Sequence, residues 1–225
     1  MKFTEDPKNR VVAAAIDDVV RFEGAELIFN DARGAVARMP QGNCKCAFAC
    51  AVDFYACAES LGLLNRDVCV MNMPFDFGDE PCVTFAYFEP MPPTLRGLDI
   101  RRLAPTLAGE VARAYRNKSG GYGADETAAL MRDKGVFGAL VDGNLAGFIG
   151  RHRDGNMGML EVRSEFRRRG IGEELQKFLI GYIMTFGRIP ICDVYADNAP
   201  SLALQEKLGL TRADNYTFWL TGKQL

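Results

Sequence analysis

Between Val162 and Leu175 the chain reads V-R-S-E-F-R-R-R-G-I-G-E-E-L, and no other stretch constrains the molecule as much. An apolar strand passes into an arginine- and glycine-rich turn, and the turn opens directly into a helix. Such a junction gathers unpaired backbone N–H groups, the positive end of a helix dipole and fixed positive charge at one point. It suits a diphosphate.

The segments around the junction are regular. Pro105–Asn117 carries Leu107, Val111, Ala114 and Tyr115 at helical spacing. Ser119–Gly123 reads as a loop, and Asp125 is an expected cap for a second helix ending at Asp133. Val136–Val141 and Leu145–Gly150 flank the turn Asp142-Gly-Asn144, a strong hairpin signal. The strand Met157–Val162 follows the turn at Asp154-Gly155. Past the arginines, Gly172–Phe186 places Leu175, Phe178, Leu179, Tyr182, Ile183 and Phe186 on one stripe. Ile191–Tyr195 and Tyr216–Leu220 read as strands, with a short helix Ser201–Leu208 between them, capped by Asn198 and stopped by Gly209.

Upstream, Glu89-Pro-Met-Pro-Pro-Thr94 cannot donate to a sheet and disfavours helix, so it reads as a connector. Two domains are expected, 1–95 and 96–225. In the first, Ala25–Asn30 and Ala35–Met39 form a hairpin around Asp31-Ala-Arg-Gly34, Cys46–Leu63 has helical spacing, and Val68–Met71 and Cys82–Phe88 are short strands. That half carries no chemical constellation. No internal repeat or low-complexity tract appears.

Composition narrows the partners. A net charge of −2 over 225 residues gives no global reason to expect nucleic acid or an acidic membrane. Met1–Arg10 lacks the apolar core of a signal peptide, and the apolar run Cys46–Val52 stops at Asp53, well short of a membrane span. Both features favour the cytoplasm. Seven cysteines include no Cys-x2-Cys pair, and the single histidine, His152, is distant in sequence, so no metal is expected. Cys46, Cys50 and Cys57 repeat at helical spacing and are expected to be reduced, packed thiols on one face.

The succession of strand, Arg167-Arg-Arg-Gly-Ile-Gly172 and helix resembles the pyrophosphate loop of the general N-acetyltransferase (GNAT) superfamily, with Arg167, Gly170 and Gly172 at its fixed positions. Asp193-Val-Tyr-Ala-Asp-Asn198, followed by Ser201 through Leu210, resembles the second signature of that family. The resemblance covers about residues 98–225. It implies a mixed, mostly antiparallel sheet flanked by helices, whose fourth and fifth strands splay apart to admit acetyl-CoA, with a smaller α/β domain in front. It assigns Arg167, Arg168, Arg169, Gly170, Ile171 and Gly172 to the pyrophosphate. Leu160–Val162 fall to the pantetheine, with Leu160 and Val162 as backbone contacts, and Asn198 and Ser201 to the middle of the coenzyme.

The chemistry implied is direct attack of a primary amine on the thioester, which needs a neutral amine and a stabilised thiolate. Glu161 on the fourth strand is the first candidate for accepting the proton. Asp193 on the fifth strand and His152 at the end of the third are the others, His152 because its ordinary pKa of about 6.5 suits base work near neutrality. Two positions depart from the family pattern. Asn156 stands where some relatives place a glutamate, and Gln205 where many carry a tyrosine that protonates the leaving thiol. Tyr195, Tyr122 or water are candidate substitutes.

The layout is similar to the glycine N-acyltransferase-like group, which makes the first domain a candidate degenerate copy walling the acceptor pocket. The expected acceptor is a small amine or an amino acid, with a protein N-terminus or lysine left open, and with neither nucleic acid nor membrane as a partner. A second copy of the chain, forming a homodimer, is a further candidate partner. Two rivals remain: a noncatalytic acyl-CoA sensor, which the two departures permit, and an RNA-associated protein using the arginine turn, which the negative net charge disfavours.

Overall fold

The computed structural model describes residues 1–73, 77, 80–115 and 121–222. They form two compact units, Met1–Phe88 with Ile191–Leu225, and Glu89–Pro190. In the first unit, α1 (Arg10–Phe22) precedes β1 (Glu26–Asn30), β2 (Gly34–Arg38), β3 (Cys44–Phe48), α2 (Ala51–Ala58), β4 (Val68–Met73) and β5 (Cys82–Ala86). The second unit runs β6 (Asp99–Arg102), α3 (Ala108–Ala114), α4 (Ala124–Asp133), β7 (Val136–Val141), β8 (Asn144–Arg151), β9 (Met157–Val162) and α5 (Ile171–Met184). The chain then completes the first unit with β10 (Ile191–Tyr195), α6 (Ala199–Lys207), β11 (Thr211–Arg212) and β12 (Tyr216–Leu220).

The larger sheet has the order β1-β2-β3-β4-β12-β5-β10, with β11 also paired to β5, and the smaller one β6-β7-β8-β9. Among the described residues every strand pairing is antiparallel except β3 with β4. The class is the mixed α/β, mostly antiparallel arrangement expected. The units cut the chain differently from the division at 95/96, because β10 and β12 hydrogen-bond to β5 and β4. Pairing between strands more than a hundred residues apart leaves no local mark in the sequence.

Two elements of the first unit differ from the sequence expectation. Cys44–Phe48 is a strand, not the start of a helix over 46–63, and only Ala51–Ala58 is helical. All five residues of β3 are buried, and a short run buried on both sides has neither period, so it reads like a helix segment. Cys46, Cys50 and Cys57 therefore share no helix face: they lie in β3, at the cap of α2 and within α2. The sequence expectation has no element over Arg10–Phe22, yet Val12, Ala15, Ile16 and Val19 of α1 repeat at helical spacing and are buried against β2, β3 and β5.

Six cysteines are buried and Cys50 is partly exposed, with all seven reduced. Burial pushes the Cys46 and Cys192 thiols well above the usual range. Alkylation of the native protein should therefore modify Cys50 first, leaving the other six protected until denaturant is added. Peptide mass mapping after timed iodoacetamide exposure reads this directly; early loss of Cys46 or Cys192 would contradict it.

In the second unit, one face of the small sheet packs on α3 and α4 through Leu103, Val111, Leu130, Met131, Val136, Phe148 and Met159. Helix α5 packs on β7, β8 and β9. Helix α3 is shorter than expected because Pro105–Leu107 forms a 3-10 turn, and the expected helix end at 117 and the loop start at 119 lie outside the described residues. Gly123, not Asp125, caps α4, while Asp125 and Glu126 occupy its first turn, where the helix dipole favours them. No helix among the described residues is long and apolar enough to cross a membrane.

Candidate functional site

Strand β9 is the last strand of the small sheet, and it is interrupted. Phe148 pairs with Glu161 and Gly150 with Gly158, so Met159 and Leu160 together face the single residue Ile149. Met159 takes a left-handed φ of 54° to make this bulge. A bulge breaks the ladder and re-aims backbone groups. It includes Leu160, the first residue of the stretch Leu160–Val162 that the family resemblance assigns to the pantetheine.

After β9, a 3-10 turn at Ser164–Phe166 leads to the arginines. Arg168 (φ 63°) and Gly170 (φ 78°) are both left-handed, a conformation that turns neighbouring N–H groups toward one side. Gly170 caps α5 without any side-chain hydrogen bond, so no side chain of the cap residue occupies the helix start. Arg168 and Arg169 are exposed, while Arg167 folds back, donating from Nε to the Val162 carbonyl (2.9 Å) and from Nη2 to Glu161 (3.2 Å). A Cβ on Gly172 would make an ordinary contact with Val162 at 3.5 Å, so its neighbours among the described residues do not require glycine there. Amide donors, guanidinium groups and a glycine in the first helical turn fit a diphosphate.

Sequence reasoning did not include Arg96. Its backbone N–H donates to Glu174 at 2.6 Å, its guanidinium approaches Glu173 at 3.6 Å, and Nη1 lies 3.6 Å from where a Gly170 Cβ would be. Lys177 takes the other side of Glu173 at 2.9 Å. The two carboxylates in the first turn of α5 are thus held by Arg96 and Lys177. A contact spanning 78 positions has no signature in local sequence.

The three proton-acceptor candidates have distinct surroundings. Glu161 is largely buried and engaged by Arg167. Since cross-strand partners share a face, Glu161 lies on the same side of the sheet as Phe148, toward α3 and α4. His152 follows β8 directly, with its N–H on the Asn156 carbonyl (2.8 Å) and its carbonyl accepting from Gly155 (3.0 Å). Its ring occupies the space over Gly158, where an added Cβ would sit 1.8 Å from Nε2, and its Nδ1 is 2.6 Å from the Tyr122 hydroxyl. Asp193, on β10, accepts from Thr84 at 2.6 Å, and Thr84 shares a 2.7 Å bond with the buried Thr217. That chain of hydroxyls across β10, β5 and β12 gives Asp193 a structural role within the first unit.

Also in the first unit, Asn198 caps α6 as expected, accepting from the Ser201 N–H at 3.3 Å. Gln205 is buried within α6, at 2% exposure. Asn156 is buried too, its N–H bonded to Asp154 at 3.2 Å, so it serves the turn before β9. Among the described residues no three His, Cys, Asp or Glu side chains gather to hold a metal ion.

Residues 134–220 match the family model described as FR47-like protein. Comparison with curated proteins gives no significant match. Among solved structures, a Drosophila protein is similar at 20% identity and a TM-score of 0.60, over 83% of this chain and 74% of that one. A putative GNAT-family acetyltransferase from Novosphingobium aromaticivorans aligns at 20% identity and a TM-score of 0.55, over 81% and 85% of the two chains. A GNAT-family acetyltransferase from Colwellia psychrerythraea aligns at 14% and 0.53, over 84% and 81%.

Proposed function

Because the chain has the GNAT fold, we propose that it is an acyl-CoA-dependent N-acyltransferase whose donor diphosphate binds at Arg167–Gly172. One observation carries this reading: a glycine, Gly172, in the first turn of a helix capped by Gly170, directly after three arginines. Its contact with Val162 is an ordinary one that does not itself demand glycine, whereas a phosphate approaching the amides favours it. Arg168 supports it further. A left-handed φ costs a non-glycine residue about 1 kcal/mol, which a purely structural turn would avoid with glycine.

The donor thioester supplies an activated acyl group, and the acceptor is a primary amine on a small molecule or amino acid. The amine nitrogen forms a C–N bond to the acyl carbon while the C–S bond breaks, and the thiolate leaves as a fair leaving group, with a pKa of about 8.5. Leu160–Val162 hold the donor arm by their backbone.

Glu161 is engaged by Arg167, so its main role here is to position that guanidinium, and His152 is the better candidate for the proton. Glu161→Gln is then expected to weaken acetyl-CoA binding about threefold, in the range of a partly exposed ion pair, and to lower kcat less than tenfold. A hundredfold fall in kcat at unchanged affinity would instead make Glu161 the base.

Calorimetry with acetyl-CoA, longer acyl-CoAs and free CoA, followed by thiol release over a panel of amines, amino acids and peptides, tests the proposal. Binding and turnover are expected. Binding without turnover on any amine would favour a sensor, and salt-sensitive RNA binding that CoA does not displace would overturn the reading.

A further inference from the structure

The structure couples His152, the chain's single histidine, to Tyr122, a residue thirty positions earlier that no local pattern links to it. The phenol oxygen and Nδ1 are 2.6 Å apart, the rings are 5.8 Å between centroids, and Tyr115 stacks on Tyr122 at 6.4 Å. The imidazole is fixed at three points. Its backbone closes a tight turn, its ring fills the space over Gly158, and Nδ1 meets the phenol. Gly158 lies one residue before the β9 bulge and pairs with Gly150, and Glu161 lies just beyond the bulge.

Nδ1 is engaged by Tyr122 and the Nε2 edge of the ring lies over Gly158, so the phenol is the group beside Nδ1 through which a proton can reach the imidazole. We infer that Tyr122 and His152 form a two-residue proton relay for the acceptor amine, with Tyr122 as its outer member. The relay rests on the acyltransferase reading above.

The balance is simple. The acceptor enters as an ammonium, and one N–H bond breaks as its proton passes to the phenol oxygen. The phenol's own proton moves to Nδ1, so Tyr122 stays neutral and His152 becomes imidazolium. The neutral amine then attacks, and the second proton released as the C–N bond forms goes to the departing sulfur. The imidazolium finally returns its proton to solvent.

The groups facing the couple are consistent with this. Burial is the main influence holding the phenol protonated, and Tyr115, Asp154 and Glu126 act in the same direction, with Arg153 opposed. The relay requires the phenol to donate and neutral His152 to accept at Nδ1, with its hydrogen on Nε2.

A single histidine makes the test direct, because the nitrogen-15 spectrum of the labelled protein contains one imidazole and needs no assignment. The Nε2–H tautomer is expected to dominate in the wild type above its titration midpoint. Tyr122→Phe should return His152 to a mixture of tautomers and move the midpoint, and Gly158→Ala, which displaces the ring, should do the same. With acetyl-CoA and glycine or phenethylamine as probes, Tyr122→Phe and His152→Gln should each lower kcat about 100-fold, the scale of general base catalysis. The double variant should be no slower than either single one, since the pair acts as a unit. The acidic limb of kcat/KM should vanish in His152→Gln, and acetyl-CoA affinity should stay within twofold throughout.

A wild-type Nδ1–H tautomer would overturn the relay, because the phenol would then be accepting. So would independent, multiplicative losses in the two single variants. Failure of acetyl-CoA to bind would instead sink the acyltransferase reading, while the tautomer and its response to Tyr122→Phe would still decide the couple.

Discussion

Arg168→Ala/Arg169→Ala is expected to weaken acetyl-CoA binding about 50-fold while leaving the melting temperature unchanged. Both side chains are exposed, so the fold loses little with them. Each charge-assisted contact to a phosphate, discounted for solvent, is worth about 1–1.5 kcal/mol, and tenfold in affinity is about 1.4 kcal/mol. The contribution is electrostatic, so the variant's affinity should also depend less steeply on salt than the wild type's. Calorimetry at two salt concentrations measures both. Arg167→Ala should weaken binding less than the double variant does, because its guanidinium also donates to the Val162 carbonyl and to Glu161. An unchanged affinity in the double variant would show that the arginine turn is only a solvated surface.

Gly147→Ala should be among the most damaging single substitutions in the second unit, destabilising it by about 3 kcal/mol. A Cβ at Gly147 would lie 2.6 Å from the Glu161 carbonyl oxygen and 3.1 Å from the Val162 Cα. These are backbone atoms, which cannot swing aside as a side-chain end can. Relief requires β8 and β9 to part, and the bulge, Glu161 and the start of the arginine turn move with them. A fall in melting temperature of about 6–12 °C is the expected readout for a chain of this size. Gly109→Ala is the control: its Cβ would meet only the flexible end of Arg113 at 3.4 Å, inside α3, and alanine there should be neutral or stabilising.

Legibility in the sequence followed the range of the interactions. The β7–β8 hairpin and the Asn198 cap depend on residues within one or two turns and stand where patterning places them, as do Leu175, Leu179 and Ile183 of the α5 stripe, whereas Phe186 lies beyond α5 and is exposed. The arginine turn was legible for the same reason. Strand β3 was not, since burial on both faces removes the alternation that distinguishes a strand. Arg96 at the loop, Tyr122 bonded to His152 and Asp193 bonded to Thr84 all join distant positions. Sequence supplies the residue types for such contacts but not their meeting. Glu161 stood out by its position on a strand, whereas the decisive fact about it is its ion pair with Arg167.

The chain threads its first unit in an order that matters during synthesis. Strand β12 sits between β4 and β5, yet it is translated some 130 residues after them. Until it emerges from the ribosome, β4 and β5 lack the neighbour that joins them. Glu89–Pro190, whose contacts are contained within one continuous segment, can meanwhile condense on its own. The growing polypeptide therefore carries an unfinished apolar edge longest in its earliest-made part, a window in which a chaperone has most to shield.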